Sequence, residues 1–178
     1  MNATPPSFSY DAVALLGFGS AGDEPFAEVA LPGEIIIRYG GNWSLRDLCA
    51  SAIIRERDIM LTQDWYHRYA WSNEKLPSGV YRLRIPVSDS NLKTFAEQEQ
   101  LLTSDEQTAP VVLVATAMLS HRLQTAENLL GNDWTRCKES ADGHHVVLGW
   151  HRGRLCVSYR LVDDRDDRFW LAGVWRTS

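Results

Sequence analysis

Cys137, His144, His145, His151 and Cys156 fall within one 20-residue stretch and are the soft-ligand side chains of that region. Zinc takes four such ligands, and a tight pair usually nucleates the site. No CxxC occurs, and the one adjacent pair, His144-His145, points to opposite faces of any strand. His145 and His151 then share a face, His144 goes with Trp150, and Cys156 approaches one of the histidines across a hairpin. That arrangement suits a metal-assisted hydrolase with zinc on His145, His151 and Cys156. Cys156 beside a histidine also has the composition of an activated nucleophile, but no elbow-type motif surrounds any Cys or Ser. The simpler reading is a polar loop with buried thiols. His67 and His121 sit in helical patterns, where an imidazole at the surface or the core edge is expected.

Asp163, Asp164, Asp166 and Asp167, interleaved with Arg165 and Arg168, are the densest charge cluster in the chain. Alternating carboxylates can hold calcium, but each arginine neutralises a would-be ligand. A loop of this kind beside aromatics suits a binding edge better. Trp150, Tyr159, Phe169, Trp170 and Trp175 all lie nearby, and the adjacent Phe169 and Trp170 must oppose each other on a strand. Exposed Trp beside Arg is the composition of binding surfaces. The candidate contact set is therefore Asp163, Asp164, Asp166, Arg168 and Trp170. Gly17, Gly19 and Gly22 spell GxGxxG after an apolar, strand-like run, as in a dinucleotide-binding turn. The two carboxylates and the proline that follow, Asp23-Glu24-Pro25, would repel a pyrophosphate, so a loop is expected there.

In order, the chain ends with Gly149-Trp150, Val157-Ser158-Tyr159-Arg160, Asp163–Arg168 and Gly173-Val174-Trp175-Arg176. This succession resembles the closing strands of C-type-lectin-like domains, of the type found in formylglycine-generating enzymes and in the variable proteins of diversity-generating retroelements. The resemblance spans about 30 residues and implies a ligand-binding face made by the charged loop and its aromatics. The loop carries Asp and Arg in place of an Asn-rich run, and Val174 replaces the aromatic of the finish. No active-site cysteine pair is present, so the oxygenase activity is not implied.

Several elements must position these residues. Residues 1–10 read as a loose arm. The β-branched run Glu34–Tyr39 is a strand ended by Gly40-Gly41. Ser44 and Asp47 imitate a capping box opening a helix through LRDLCASAIIRER, and Thr94 with Glu97 forms a second. A short aromatic helix covers Gln63–Trp71. Val80–Val87 alternates, with Tyr81, Leu83 and Ile85 on one face and Arg82 and Arg84 on the other. Pro110 to Leu130 reads as a central helix, capped by Thr108 and stopped by Gly131-Asn132. Its first half, VVLVATAMLS, is apolar all round and must be covered. His144–Trp150 and Arg154–Val162 form a hairpin across Arg152-Gly153, and Phe169–Arg176 is a third strand. Helices thus dominate before residue 130 and strands after it. The expectation is one α+β domain over 11–178, with helices packed on an antiparallel sheet built mainly from 144–176.

A net charge of −5, with 18 Lys and Arg scattered against 23 Asp and Glu, argues against nucleic acid as a partner. The longest apolar run, Val111–Leu119, is half a membrane span, so no membrane partner is expected. Three distant cysteines and an N-terminus without signal-peptide character point to a reduced, cytoplasmic protein without disulfides. The features together favour a non-catalytic binding protein, without cofactor, that contacts a ligand or partner through the C-terminal sheet edge and the Asp/Arg loop. The alternatives are the zinc hydrolase and a structural subunit of an oligomer.

Overall fold

A computed structural model describes residues 7–18 and 29–175. The first strand, β1 (Phe8–Asp11), overlaps the expected loose arm and buries Tyr10. The apolar run after it is not a strand. It coils into a single turn, α1 (Ala12–Leu15), because the Asp11 carboxylate accepts the Ala14 N–H. Gly17 follows with φ +72°, while Gly19 and Gly22 of the GxGxxG spelling lie outside the described residues.

Strand β2 (Ile35–Tyr39) runs parallel to β1 and presents Ile35, Ile37 and Tyr39 to the core. Both capping boxes form. Ser44 opens α2 (Leu45–Ala50), but the expected single helix breaks at Ser51, whose backbone is extended, and restarts as α3 (Ala52–Glu56). The Ser51 hydroxyl donates to the Leu16 carbonyl, tying the break to the chain beside α1. Two 3-10 turns, Trp65–Arg68 and Ala70–Asn73, replace the expected aromatic helix. Strand β3 (Gly79–Arg84) is antiparallel to β2 and follows its predicted alternation, with Leu83 buried and Arg82 and Arg84 on Glu34 and Glu106. Thr94 caps α4 (Phe95–Glu99), and β4 (Glu106–Thr108) leads into α5 (Val111–Thr125).

Helix α5 is the buried centre, covered on every side from Val111 to His121. Its ends differ from expectation. Thr108 belongs to β4, and the Val111 N–H is taken instead by the Glu139 carboxylate at 2.8 Å. The helix stops at Ala126, left-handed at φ 63°, so 127–130 are not helical. The helix touches strands of both sheets.

Four strands follow the helix before the last: β5 (Trp134–Ala141), β6 (His144–His151), β7 (Arg154–Leu161) and β8 (Phe169–Leu171). They form a sheet in the order β7-β6-β5-β8. Both hairpins turn on residues with positive φ, Asp142-Gly143 and Arg152-Gly153. The final strand, β9 (Gly173–Trp175), leaves this sheet. After Ala172 it joins a second sheet in the order β1-β2-β3-β9-β4. The fold is α+β with two mostly antiparallel sheets, and four of its strands precede residue 130. Helices dominate before residue 130 and strands after it, as expected, but among the described residues four short strands also lie in the first half and need the C-terminal strand to close their sheet.

Candidate functional site: the open edge of the four-stranded sheet

His145 and His151 share a face of β6, and Cys156 on β7 is paired with Gly149 on the same face. They do not converge. Six residues of strand separate the two histidines by about 20 Å, and Cys156 lies opposite a point between them. His145 packs under α4, its ring stacked 3.5 Å from that of Phe95. Burial, aided by the Arg136 charge, pushes its imidazole below the ordinary value. His151 is exposed. Burial pushes the Cys156 and Cys137 thiols up, so both stay protonated, and all three cysteines are free. Among the described residues no group of three or more His, Cys, Asp or Glu side chains is placed to hold a metal.

The Asp/Arg loop joins β7 to β8 and is tied mainly to its own chain. The Asp166 carboxylate accepts the Arg168 N–H at 2.9 Å and its Nε at 3.3 Å, which holds the acid at about 2. Arg165 pairs with Glu97 of α4 at 2.6 Å, and the Asp164 carbonyl accepts from Arg136. Arg136, wholly buried, also donates to the Lys93 carbonyl and to Gln98, and it packs over the Phe169 ring. The Trp170 indole N–H donates to Asp133 at 3.0 Å, and the ring is half-buried. Only Asp163 of the candidate contact set is fully at the surface without such a tie.

The edge beside this loop is open. Strand β7 bonds to β6 with alternate residues, so Leu155, Val157, Tyr159 and Leu161 turn their backbone groups outward. At Leu155 the outward groups are satisfied by Ile59 and Leu61. At Tyr159 and Leu161 the outward N–H groups have no backbone partner among the described residues, while Val157 before them is wholly buried. Tyr159 is 47% exposed, Leu161 60% and Val162 38%. Tyr159 meets the rings of Trp65 and His144, each at 5.2 Å. Tyr69 packs on Trp65, and its hydroxyl and Arg68 both bond Asp142 at the next hairpin. The two 3-10 turns thus set an aromatic wall beside an unfinished sheet.

Comparison with protein-family models, with curated proteins and with solved structures gives no match.

Of the residues at this edge, Tyr159 belongs to the run that carries the C-terminal resemblance, while Leu161, Trp65 and Tyr69 are not among the expected contacts. The signals for them are legible in the sequence. Val157, Tyr159 and Leu161 alternate along one strand, and Trp65 and Tyr69 are four residues apart. What the sequence lacks is any sign that the 3-10 turns pack against β7.

Proposed function

We propose that the protein is a non-catalytic binding protein that takes an extended segment of a partner chain along β7. Main-chain hydrogen bonds from an added strand supply affinity, and pockets for alternate side chains supply specificity. The carrying observation is the open end of β7, with Tyr159, Leu161 and Val162 exposed and the Tyr159 and Leu161 N–H groups without a backbone partner among the described residues. Native edges are usually blunted by charge, proline or a bulge; here Arg160 covers the Tyr159 carbonyl, and the exposed Tyr159 and Leu161 side chains flank N–H groups left open. Trp65, Tyr69 and Arg68 are the residue types that dominate binding energy elsewhere. The Asp/Arg loop, with Asp163 outermost, forms a charged rim that would read the polarity of the segment. The resemblance to C-type-lectin-like closing strands points to the same end of the sheet. No cofactor enters this reading, and the free, buried thiols suit a cytoplasmic location.

Peptides selected from a random phage-displayed library against the protein test it. Those that bind should lose about tenfold or more in affinity on Leu161→Lys or Tyr159→Lys, with circular dichroism and Tm unchanged. Their binding should also slow amide exchange at Tyr159 and Leu161. Peptides indifferent to both variants, or binding without protection of those amides, would remove the proposal. A second reading rests on the same edge: β7 of one copy pairs with β7 of another, as an oligomer subunit would. Sedimentation would then show a dimer that Leu161→Lys dissolves.

A further inference from the structure

Away from β7, a cavity of ≈330 Å³ opens between α2, α3 and the first 3-10 turn, lined by Arg46, Cys49, Ala50, Arg55, Thr62 and His67. Its lining holds two guanidinium groups and no carboxylate, in a chain of net charge −5. Several described arginines have an acid beside them: Arg38 has Asp11, Arg84 Glu106, Arg154 Asp58 and Arg165 Glu97. Neither Arg46 nor Arg55 forms an ion pair among the described residues. Arg46 donates one N–H to Asn73 at 3.2 Å, which steadies the side chain and leaves most of its fork unused. The nearest acid on α2, Asp47, is turned away to the Ser44 cap and Lys75. His67 Nδ1 is buried without a partner among the described residues.

We infer that this cavity binds a phosphate group, as orthophosphate or the terminal group of a small monoester. Two guanidinium forks and the His67 ring offer more donors than the two oxygens of a carboxylate can accept, while the Thr62 hydroxyl bonds the Cys49 thiol. A tetrahedral oxyanion with three or four oxygens uses them, and bidentate arginine contacts are the strongest available for it. A second cavity, between Arg57 and Arg122, also lacks an acid. Its other walls are Ile59, Leu123 and Ala126, and Arg122 is already bonded to the Ala126 carbonyl, so it offers no comparable set of donors.

Cys49 at the floor does not make this a covalent site. Its thiol meets the Tyr66 hydroxyl at 3.1 Å and Met60 sulfur at 3.7 Å. Burial holds it protonated, and a bound anion would reinforce that. The role is binding without turnover.

Titrating orthophosphate into the ¹⁵N-labelled protein at constant ionic strength tests this directly. The Arg46 and Arg55 Nε–H and the His67 ring resonances should move together and saturate. Arg46→Gln and Arg55→Gln should each weaken the apparent affinity by about tenfold; both side chains are exposed, so folding is not at stake. Acetate should leave the three signals in place. Glycerol phosphate in a parallel titration distinguishes the sources: equal or tighter binding assigns the site to a monoester, and weaker binding assigns it to orthophosphate. Non-saturating shifts, shifts spread over all arginines, or an equal response to acetate would overturn the inference.

Discussion

Tyr10 and His121 meet inside the protein with 2.6 Å between the hydroxyl and Nδ1, and Phe8 closes edge-on against the imidazole at 4.7 Å. Burial pushes the His121 imidazole below its ordinary value and the Tyr10 phenol above its own, so the pair is neutral. Tyr10→Phe removes the hydroxyl and strands a buried nitrogen, at a cost of about 1–2 kcal/mol. Urea denaturation should show a lower midpoint with an unchanged slope. The sequence leaves His121 at the surface or at the core edge of a helix, and the structure buries it. It does not announce the partner, because Tyr10 is 111 residues away in a stretch that reads as a loose arm. Arg136 is similarly hidden. No strand is expected at Arg136, yet it lies wholly buried on β5, where the carbonyls of Lys93 and Asp164 take its N–H groups.

At the scale of elements, local signals held where their chemistry is local. Both capping boxes form, and Arg152-Gly153 turns its hairpin as the spacing demands. Asp142-Gly143 is an equally strong turn signal; it extends the sheet back to Trp134, ten residues before the expected start at His144. The β5–β6 pairing depends on a close approach at Gly149, over which the Trp134 ring lies so tightly that a Cβ would overlap it. Gly149→Ala should cost about 2 kcal/mol by overpacking, read as a fall in Tm, and Trp134 fluorescence should shift as the ring is displaced. An unchanged Tm would show that the ring moves aside freely. The break at Ser51 carries no comparable signal, since its hydroxyl is tied to the distant Leu16 carbonyl; the stop at Ala126 is bonded locally, to Arg122.

For the molecule as a whole, Glu139 is the joint between the four-stranded sheet and the central helix. The β5–β6 register shifts between Arg136 and Ser140, and the irregularity brings the Glu139 carboxylate to the N-terminus of α5. Burial pushes this carboxyl up to about 7 from an ordinary value of 4.5, although the Val111 N–H favours the ionised form. The folded protein therefore holds a proton that the unfolded chain releases, and unfolding becomes easier as pH rises across that window. Glu139→Gln keeps an acceptor for Val111 and has no proton to lose. The stability of the variant relative to the parent should rise between about pH 5 and about pH 8, measured as the difference in urea midpoints. A difference independent of pH would mean that Glu139 is ionised throughout. His121 acts in the opposite sense, since its depressed pKa costs stability as pH falls, so only the difference between variant and parent isolates Glu139.

The α+β class, the buried helix, the β6–β7 hairpin and the caps were determined by the sequence alone. Each depends on periodicity, turn chemistry or a side chain within a few residues. Only the tertiary structure decided that β9 leaves its neighbours to close a second sheet, that His145, His151 and Cys156 stand apart, and that the Asp/Arg loop is tied to α4. The same holds for the open length of β7, which depends on how far Ile59–Leu61 covers the strand. These are questions of which distant segments meet. Pairing between short strands is chosen by the packing of the whole core, and no local pattern encodes it.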